Sequence, residues 1–166
     1  MKTSTERILT THVGSLPRPD NLIALLRKKD LGNPYDQLAF DRCVLAAVDD
    51  VVARQVAAKI DLVSDGEMSK ISYATYLKDR LNGFNGTAQE NRAAGDLLDF
   101  INYARRLVEQ GGTERSLQGP ACDGPLSVRD DTVLAKDLAN FSAAVTEHQP
   151  MEGFLTASSP GVVTVF

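Results

Sequence analysis

Short apolar segments alternate along this chain with longer helical stretches, and that alternation constrains the fold more than any other feature. A short strand ending near Val13 precedes helices expected over about residues 20–29 and 35–59, the second with its body at 37–55. A strand at 60–64 leads into a helix over 70–81. A helical stretch at 96–110, a semi-apolar strand at 117–122, a helix from Asp130 or Asp131 to about Glu147 and a strand at 153–157 complete the pattern. Strands and helices in regular succession imply a parallel sheet with right-handed crossovers. The four strands carry their distinctive residues at their C-terminal ends. That placement is expected of a (β/α)8 barrel, whose chemistry sits on the loops after the strands. Such a barrel takes about 250 residues, and this chain has 166. Periodicity by itself allows a small open α/β sheet equally well.

The breaks between these segments follow turn chemistry. Asp20 or Asn21 is expected to cap the first helix, and Gly32-Asn33-Pro34 ends it. Gly111-Gly112 stops the stretch that begins near Asp96. Residues 1–7 read as a loose start. Residues 82–95 are polar and rich in Gly and Asn, so they are expected to run over the surface, long enough to be a candidate active-site cover.

Composition narrows the partners. The chain is 43% hydrophobic and 24% charged, ordinary for a soluble globular protein. Its net charge of −4 argues against a nucleic-acid surface, which needs clustered Lys and Arg. Arg27-Lys28-Lys29 closes a helix and complements its dipole. No apolar run approaches the ~20 residues of a membrane helix, and the polar N-terminus lacks a signal-peptide core. A cytoplasmic protein that binds neither nucleic acid nor membrane is expected. Cys43 and Cys122 are the only cysteines, too far apart in sequence for a zinc knuckle or a disulfide framework. Cys43 falls on the apolar face of a helix and is expected to be a buried structural thiol. Cys122 has no histidine near it in sequence to activate it, and it reads as a packing residue.

Two strand ends carry candidate chemistry. In Thr10-Thr11-His12-Val13-Gly14-Ser15-Leu16-Pro17-Arg18-Pro19, Gly14 lets the backbone approach a ligand closely. Ser15 adds a hydroxyl beside amides that can form an anion-binding concavity. The turn therefore suits a substrate carboxylate, or it is an ordinary strand-to-loop turn. In Asp65-Gly66-Glu67 two carboxylates flank a glycine at the end of the next strand. A carboxylate there pairs strongly with a substrate ammonium once water is excluded; otherwise the segment is a solvated acidic turn. Asp65 could simply fix that turn. His12 is either a hydrogen-bonded structural residue or a group at the pocket mouth that orients substrate or moves a proton. His148, between a helix and the following strand, lies at the wrong end of a barrel for chemistry.

Thr-Thr-His-Val-Gly-Ser-Leu-Pro-Arg at 10–18 resembles the opening of the cobalamin-independent methionine synthase-like proteins. Further matches follow in order: Arg54-Gln55, Ile60-Asp61-Leu62-Val63-Ser64-Asp65-Gly66-Glu67, Tyr76 with Arg80-Leu81 and Gly83-Phe84, Gly119 to Pro125, and Ser158-Ser159-Pro160-Gly161. The resemblance implies a (β/α)8 TIM barrel of which this chain covers about the first half, residues 1–166 forming its N-terminal part. It implies a methyltransferase of the 5-methyltetrahydropteroyltriglutamate–homocysteine type, moving a methyl group from a methyl donor to the thiol of homocysteine or a similar small molecule. Glu67 would contact the amino-acid substrate, Gly14 and Ser15 would hold its polar end, and Ser158 would face it.

The same resemblance implies zinc as the activator of the thiol, since metal binding generates the thiolate. Its ligands in the family come from the later half of the barrel, so the 166 residues alone are expected to be inactive. Two other readings stand beside this one. Zinc-dependent thiol alkyltransferases of the coenzyme M type share the opening motifs. A non-catalytic half-barrel remnant would keep the fold without the reaction, and its open strand edges would favour a homo-oligomer.

Overall fold

Leu62, Val63 and Ser64 are all buried, the signature of a strand covered on both faces rather than one. These residues form β1 (Leu62–Ser64), which pairs in parallel with β6 (Glu152–Phe154) in the register Leu62–Glu152, Val63–Gly153 and Ser64–Phe154. On its other side Thr11 makes a parallel bridge to Leu62, and the Thr11 hydroxyl donates to the Leu62 carbonyl at 2.8 Å. The computed structural model describes residues 2–87, 99–109 and 120–163. Among them, this parallel ladder with flanking helices is the centre of a mixed α/β fold.

Three helices build its packed side. In chain order they are α1 (Asp20–Asp30), α2 (Gln37–Ala57) and, beyond the excursion between β1 and β6, α5 (Thr132–His148). Phe40, Val44, Ala47, Val48, Val51 and Val52 line the buried face of α2 at helical spacing. With Leu22 and Leu26 of α1, Val63 of β1 and Phe141 and Ala144 of α5 they form one core. The helix–sheet approach is close at Gly153, where a Cβ would stand 2.8 Å from Phe141 Cζ. Gln55 ties α2 to the strand by exchanging hydrogen bonds with the Ser64 amide (3.1 Å) and carbonyl (2.8 Å).

The excursion holds α3 (Tyr73–Arg80), α4 (Ile101–Glu109) and two antiparallel pairs. These are β2 (Leu81–Asn82) with β5 (Ser127–Val128), and β3 (Gly86–Thr87) with β4 (Pro120–Ala121). A final turn of helix, α6 (Pro160–Val163), follows β6.

Several expectations need correction. The strand expected at 117–122 does not enter the parallel sheet in its described part. Pro120–Ala121 pairs antiparallel with Gly86–Thr87, so β6 is the direct parallel neighbour of β1. A Gly/Pro-framed segment reads alike in either direction, because apolar length carries no information on strand polarity. The start of the expected surface run at 82–95 does not stay on the surface: Asn82 and Gly86–Thr87 join these antiparallel pairs and Phe84 is fully buried, while residues 88–95, like Gly119, lie outside the described residues. Pro19, not Asp20 or Asn21, occupies the N-cap of α1, where its fixed φ suits the entry. Asp131 is the N-cap residue of α5, but the side chain satisfying the Thr132 amide, at 2.8 Å, is that of Asp130. The N-terminal segment is pinned rather than loose. The Lys2 amide donates to Glu152 at 2.6 Å, and Arg7 forms a two-pronged ion pair with Asp61. Cys43 is only half-buried against the core, and Cys122 is exposed rather than packed. Neither is in a disulfide. No helix among the described residues is long and apolar enough to cross a membrane.

Candidate functional site

The turn after β1 places two consecutive residues in the left-handed region. Gly66 and Glu67 both adopt left-handed φ, +61° and +58°. Gly66 is required there twice over, because a Cβ would also sit 3.0 Å from Met68 Cε and 3.2 Å from Leu16 Cβ. A glutamate in this conformation costs energy that the surroundings must supply, and such strain concentrates at functional positions. The surroundings are identifiable. Asp65 accepts the Glu67 amide at 3.0 Å, and the Leu16 amide donates to the Gly66 carbonyl at 3.0 Å.

Arg18 completes the clamp. Its guanidinium donates to the Glu67 carbonyl at 2.9 Å, to the Lys70 carbonyl at 2.7 Å and to Ser15 Oγ at 3.3 Å. Burial, the largest influence, lowers the Arg18 pKa from its ordinary value, opposed by the nearby Glu67 and Asp65 carboxylates. With Arg18 donating to Ser15 Oγ, the serine proton turns toward Glu67.

The Glu67 side chain is 9% exposed and collects hydroxyls from two other segments. Ser15 Oγ donates to Oε2 at 2.5 Å, and Thr156 Oγ1 donates to Oε1 at 3.2 Å. The turn after Val13, the turn after β1 and the segment after β6 thus converge on one carboxylate at the C-terminal end of the parallel strands. Ligands of open α/β sheets sit at that end. A buried carboxylate held by neutral hydroxyl donors can attract a cation or accept a proton from a bound molecule.

Behind the turn lies a second layer of charge. The buried Asp65 carboxylate faces Lys70 Nζ at 3.6 Å. Lys70 Nζ also lies 4.7 Å from the Tyr76 ring centre, and the Arg80 guanidinium lies 4.6 Å from the same ring. The Tyr76 hydroxyl donates to Asp137 at 2.7 Å. Burial first, and then this bond to a carboxylate, push the Tyr76 phenol well above its ordinary pKa, so it stays protonated near neutrality.

The six residues singled out from sequence fall as follows. Ser15 and Glu67 are in direct contact, and Asp65 fixes the backbone that presents Glu67. Gly14 has φ +103° and open space where a Cβ would point, so conformation requires the glycine and no protein atom crowds it. His12 and Ser158 each bury a side-chain atom, Nε2 and Oγ respectively, that has no hydrogen-bond partner. Neither hydrogen-bonds to Glu67. Arg18 and Thr156 are site residues that the sequence does not single out. Arg18 lies inside the opening motif at 10–18, but only the tertiary fold shows which carbonyls it meets; Thr156 has no signal beyond lying near a strand end. His148 stands apart at the end of α5, with Nε2 2.8 Å from Asp49 Oδ1.

Zinc does not find a ligand set here. Among the described residues no group of three or more His, Cys, Asp or Glu side chains could hold a metal ion. Cys122 Sγ is directed at the Gly124 carbonyl at 3.5 Å, and Cys43 Sγ accepts from Asn21 at 3.4 Å. Asp65 and Glu67 are taken up by the contacts described above. Comparison with known proteins adds no assignment: no family model matches the chain, and no curated protein matches it significantly.

Proposed function

We propose that this chain contributes the amino-acid-binding wall of a methionine synthase-like methyltransferase on a (β/α)8 barrel, with homocysteine as the thiol. The Ser15–Glu67 contact carries the reading, because it brings together two of the motifs that make up the family resemblance. In this reading the substrate ammonium displaces or joins the hydroxyls at Glu67, and the substrate carboxylate lies against the turn at Gly14 and Ser15. Opposite ends of one zwitterion would then be held by neighbouring strand ends. No step is routed through zinc, since the described residues do not fit it; their part is to bind and orient.

The charge at Glu67 favours homocysteine over coenzyme M. Coenzyme M has a sulfonate and no ammonium, so a buried carboxylate would repel it rather than pair with it. Isothermal titration of the protein with L-homocysteine and with 2-mercaptoethanesulfonate tests the choice. Saturable binding of homocysteine alone supports the reading. Preferential binding of the sulfonate, or no saturable binding of either, overturns it.

A further inference from the structure

A cavity of about 410 Å3 opens between the N-terminal halves of α2 and α5 and the ends of α1 and α3, away from Glu67. Its volume is within the range of about 300–1,000 Å3 usual for small-molecule sites. Two observations separate it from a surface crevice. Ser69, only 9% exposed, belongs to its wall, and its buried hydroxyl has no hydrogen-bond partner. Asp137, 8% exposed, lines it with a carboxylate that accepts only the Tyr76 hydroxyl and pairs with no cation among the described residues. Buried polar groups are nearly always satisfied, so the Ser69 hydroxyl calls for a partner, while Asp137, though bonded to Tyr76, keeps a charge without a counter-ion among the described residues.

The charges along the remaining wall mostly cancel. Lys29 pairs with Asp79 at 3.3 Å, and Lys136 pairs with Asp41 at 2.6 Å. What is left uncompensated among the described residues is the Asp137 carboxylate and the exposed Arg129, whose guanidinium donates to Asn82 at 3.0 Å and Asn85 at 3.2 Å and meets no described carboxylate. A negative group in the wall and a positive planar fork elsewhere in the lining together define a dipole.

We infer that this cavity binds a small zwitterion, an amine that also carries a carboxylate, with its ammonium on Asp137 and Ser69 and its carboxylate toward Arg129. The ammonium would supply both the missing counter-charge of Asp137 and a donor for Ser69 Oγ. Arg129 would receive the carboxylate in the fork geometry guanidinium favours. The site does not involve Glu67, so it stands or falls separately from the methyltransferase reading.

The test uses thiol-free probes, with binding located by amide and side-chain chemical shifts. γ-Aminobutyrate is expected to shift the side-chain amides of Gln37 and Asn140, which line the cavity, in a saturable way. Butylamine and butyrate, each with one charge, are expected to bind at least tenfold more weakly. Asp137→Asn should weaken aminobutyrate at least tenfold and Arg129→Met several-fold, while Glu67→Gln leaves it unchanged. Because Asp137 also holds Tyr76, Ser69→Ala provides a second reading at the buried end, with several-fold weaker binding expected. The inference is overturned if no saturable shift appears, or if butylamine binds as well as the zwitterion. It is also overturned if the shifts centre on Gly14 and Gly66 and vanish in Glu67→Gln, or if neither Asp137→Asn nor Ser69→Ala weakens binding.

Discussion

Ser15 Oγ and Glu67 Oε2 lie 2.5 Å apart although 52 residues separate them in sequence. The strand expected to end near Val13 is reduced to the isolated bridge at Thr11; the contact joins the turn that follows it to the turn after β1, and it points the serine proton at a carboxylate that is itself largely out of water. Removing the charge while keeping the shape isolates its role. Glu67→Gln should weaken L-homocysteine by about 2 kcal/mol, roughly 30-fold, at the lower end of what breaking a buried charge pair costs. Calorimetric titration of both proteins checks this; equal affinities would remove Glu67 from the site.

Arg18→Met tests the clamp rather than the ligand contact. The substitution strips donors from the Glu67 and Lys70 carbonyls and leaves them inside the fold. Bonds to a charged donor are worth about 1.5–3 kcal/mol each before relaxation, so a loss of about 2 kcal/mol in unfolding free energy is expected from urea denaturation. Amide exchange at the 65–70 turn should accelerate with it. A variant as stable as the parent would show that the turn holds itself.

At Gly66 the expected defect is steric and conformational together. Gly66→Ala puts a side chain at φ +61° against Met68 Cε, Leu16 Cβ and Val51 Cγ2. Left-handed strain of about 1–2 kcal/mol and a tight fit of similar size predict a lower midpoint in urea by thermodynamic measurement. The loss should exceed that of Ala46→Gly on the exposed side of α2, which costs about 1 kcal/mol by helix propensity.

Acid should release the N-terminal segment. The Arg7 guanidinium and the Thr10 amide, reinforced by the Thr10 hydroxyl, hold the Asp61 carboxyl well below the usual aspartate range. A folded pKa below the unfolded value of about 3.9 means that the stabilisation is fully present above pH 4 or so. It is lost as pH falls from there toward the folded value. Thermal melts between pH 6 and pH 2 should therefore show the parent converging on Asp61→Asn at the acid end, with the difference largest near neutrality. Parallel curves would mean that the pair contributes nothing.

Much of this organisation is legible in the residues. The helical spacing of Phe40, Val44, Val48, Val51 and Val52 identifies α2, because a 3.6-residue period has few alternatives over 21 residues. The apolar run at 60–64 similarly marks the buried strand, and both motifs at the candidate site stand out by their small and acidic residues after a strand. The segment at 117–122 departs from the expected parallel strand for a physical reason. A strand's composition reports how deeply it is buried, while its direction and neighbour depend on partners distant in the chain. Nothing local distinguishes Pro120–Ala121 beside Gly86–Thr87 from a strand in the parallel ladder.

The helices α1, α2 and α5, the strand β1 and the acidic turn that follows it are legible in the residues alone. These properties rest on local periodicity and on turn chemistry, which act over a few residues. Tertiary packing is what brings Thr156 and Ser15 to the Glu67 carboxylate, Arg18 across the turn beneath it, and Ser69 and Asp137 to the wall of one cavity. Each of those is a meeting of side chains from separate elements, and it is the packing of helices on the parallel strands that sets such distances.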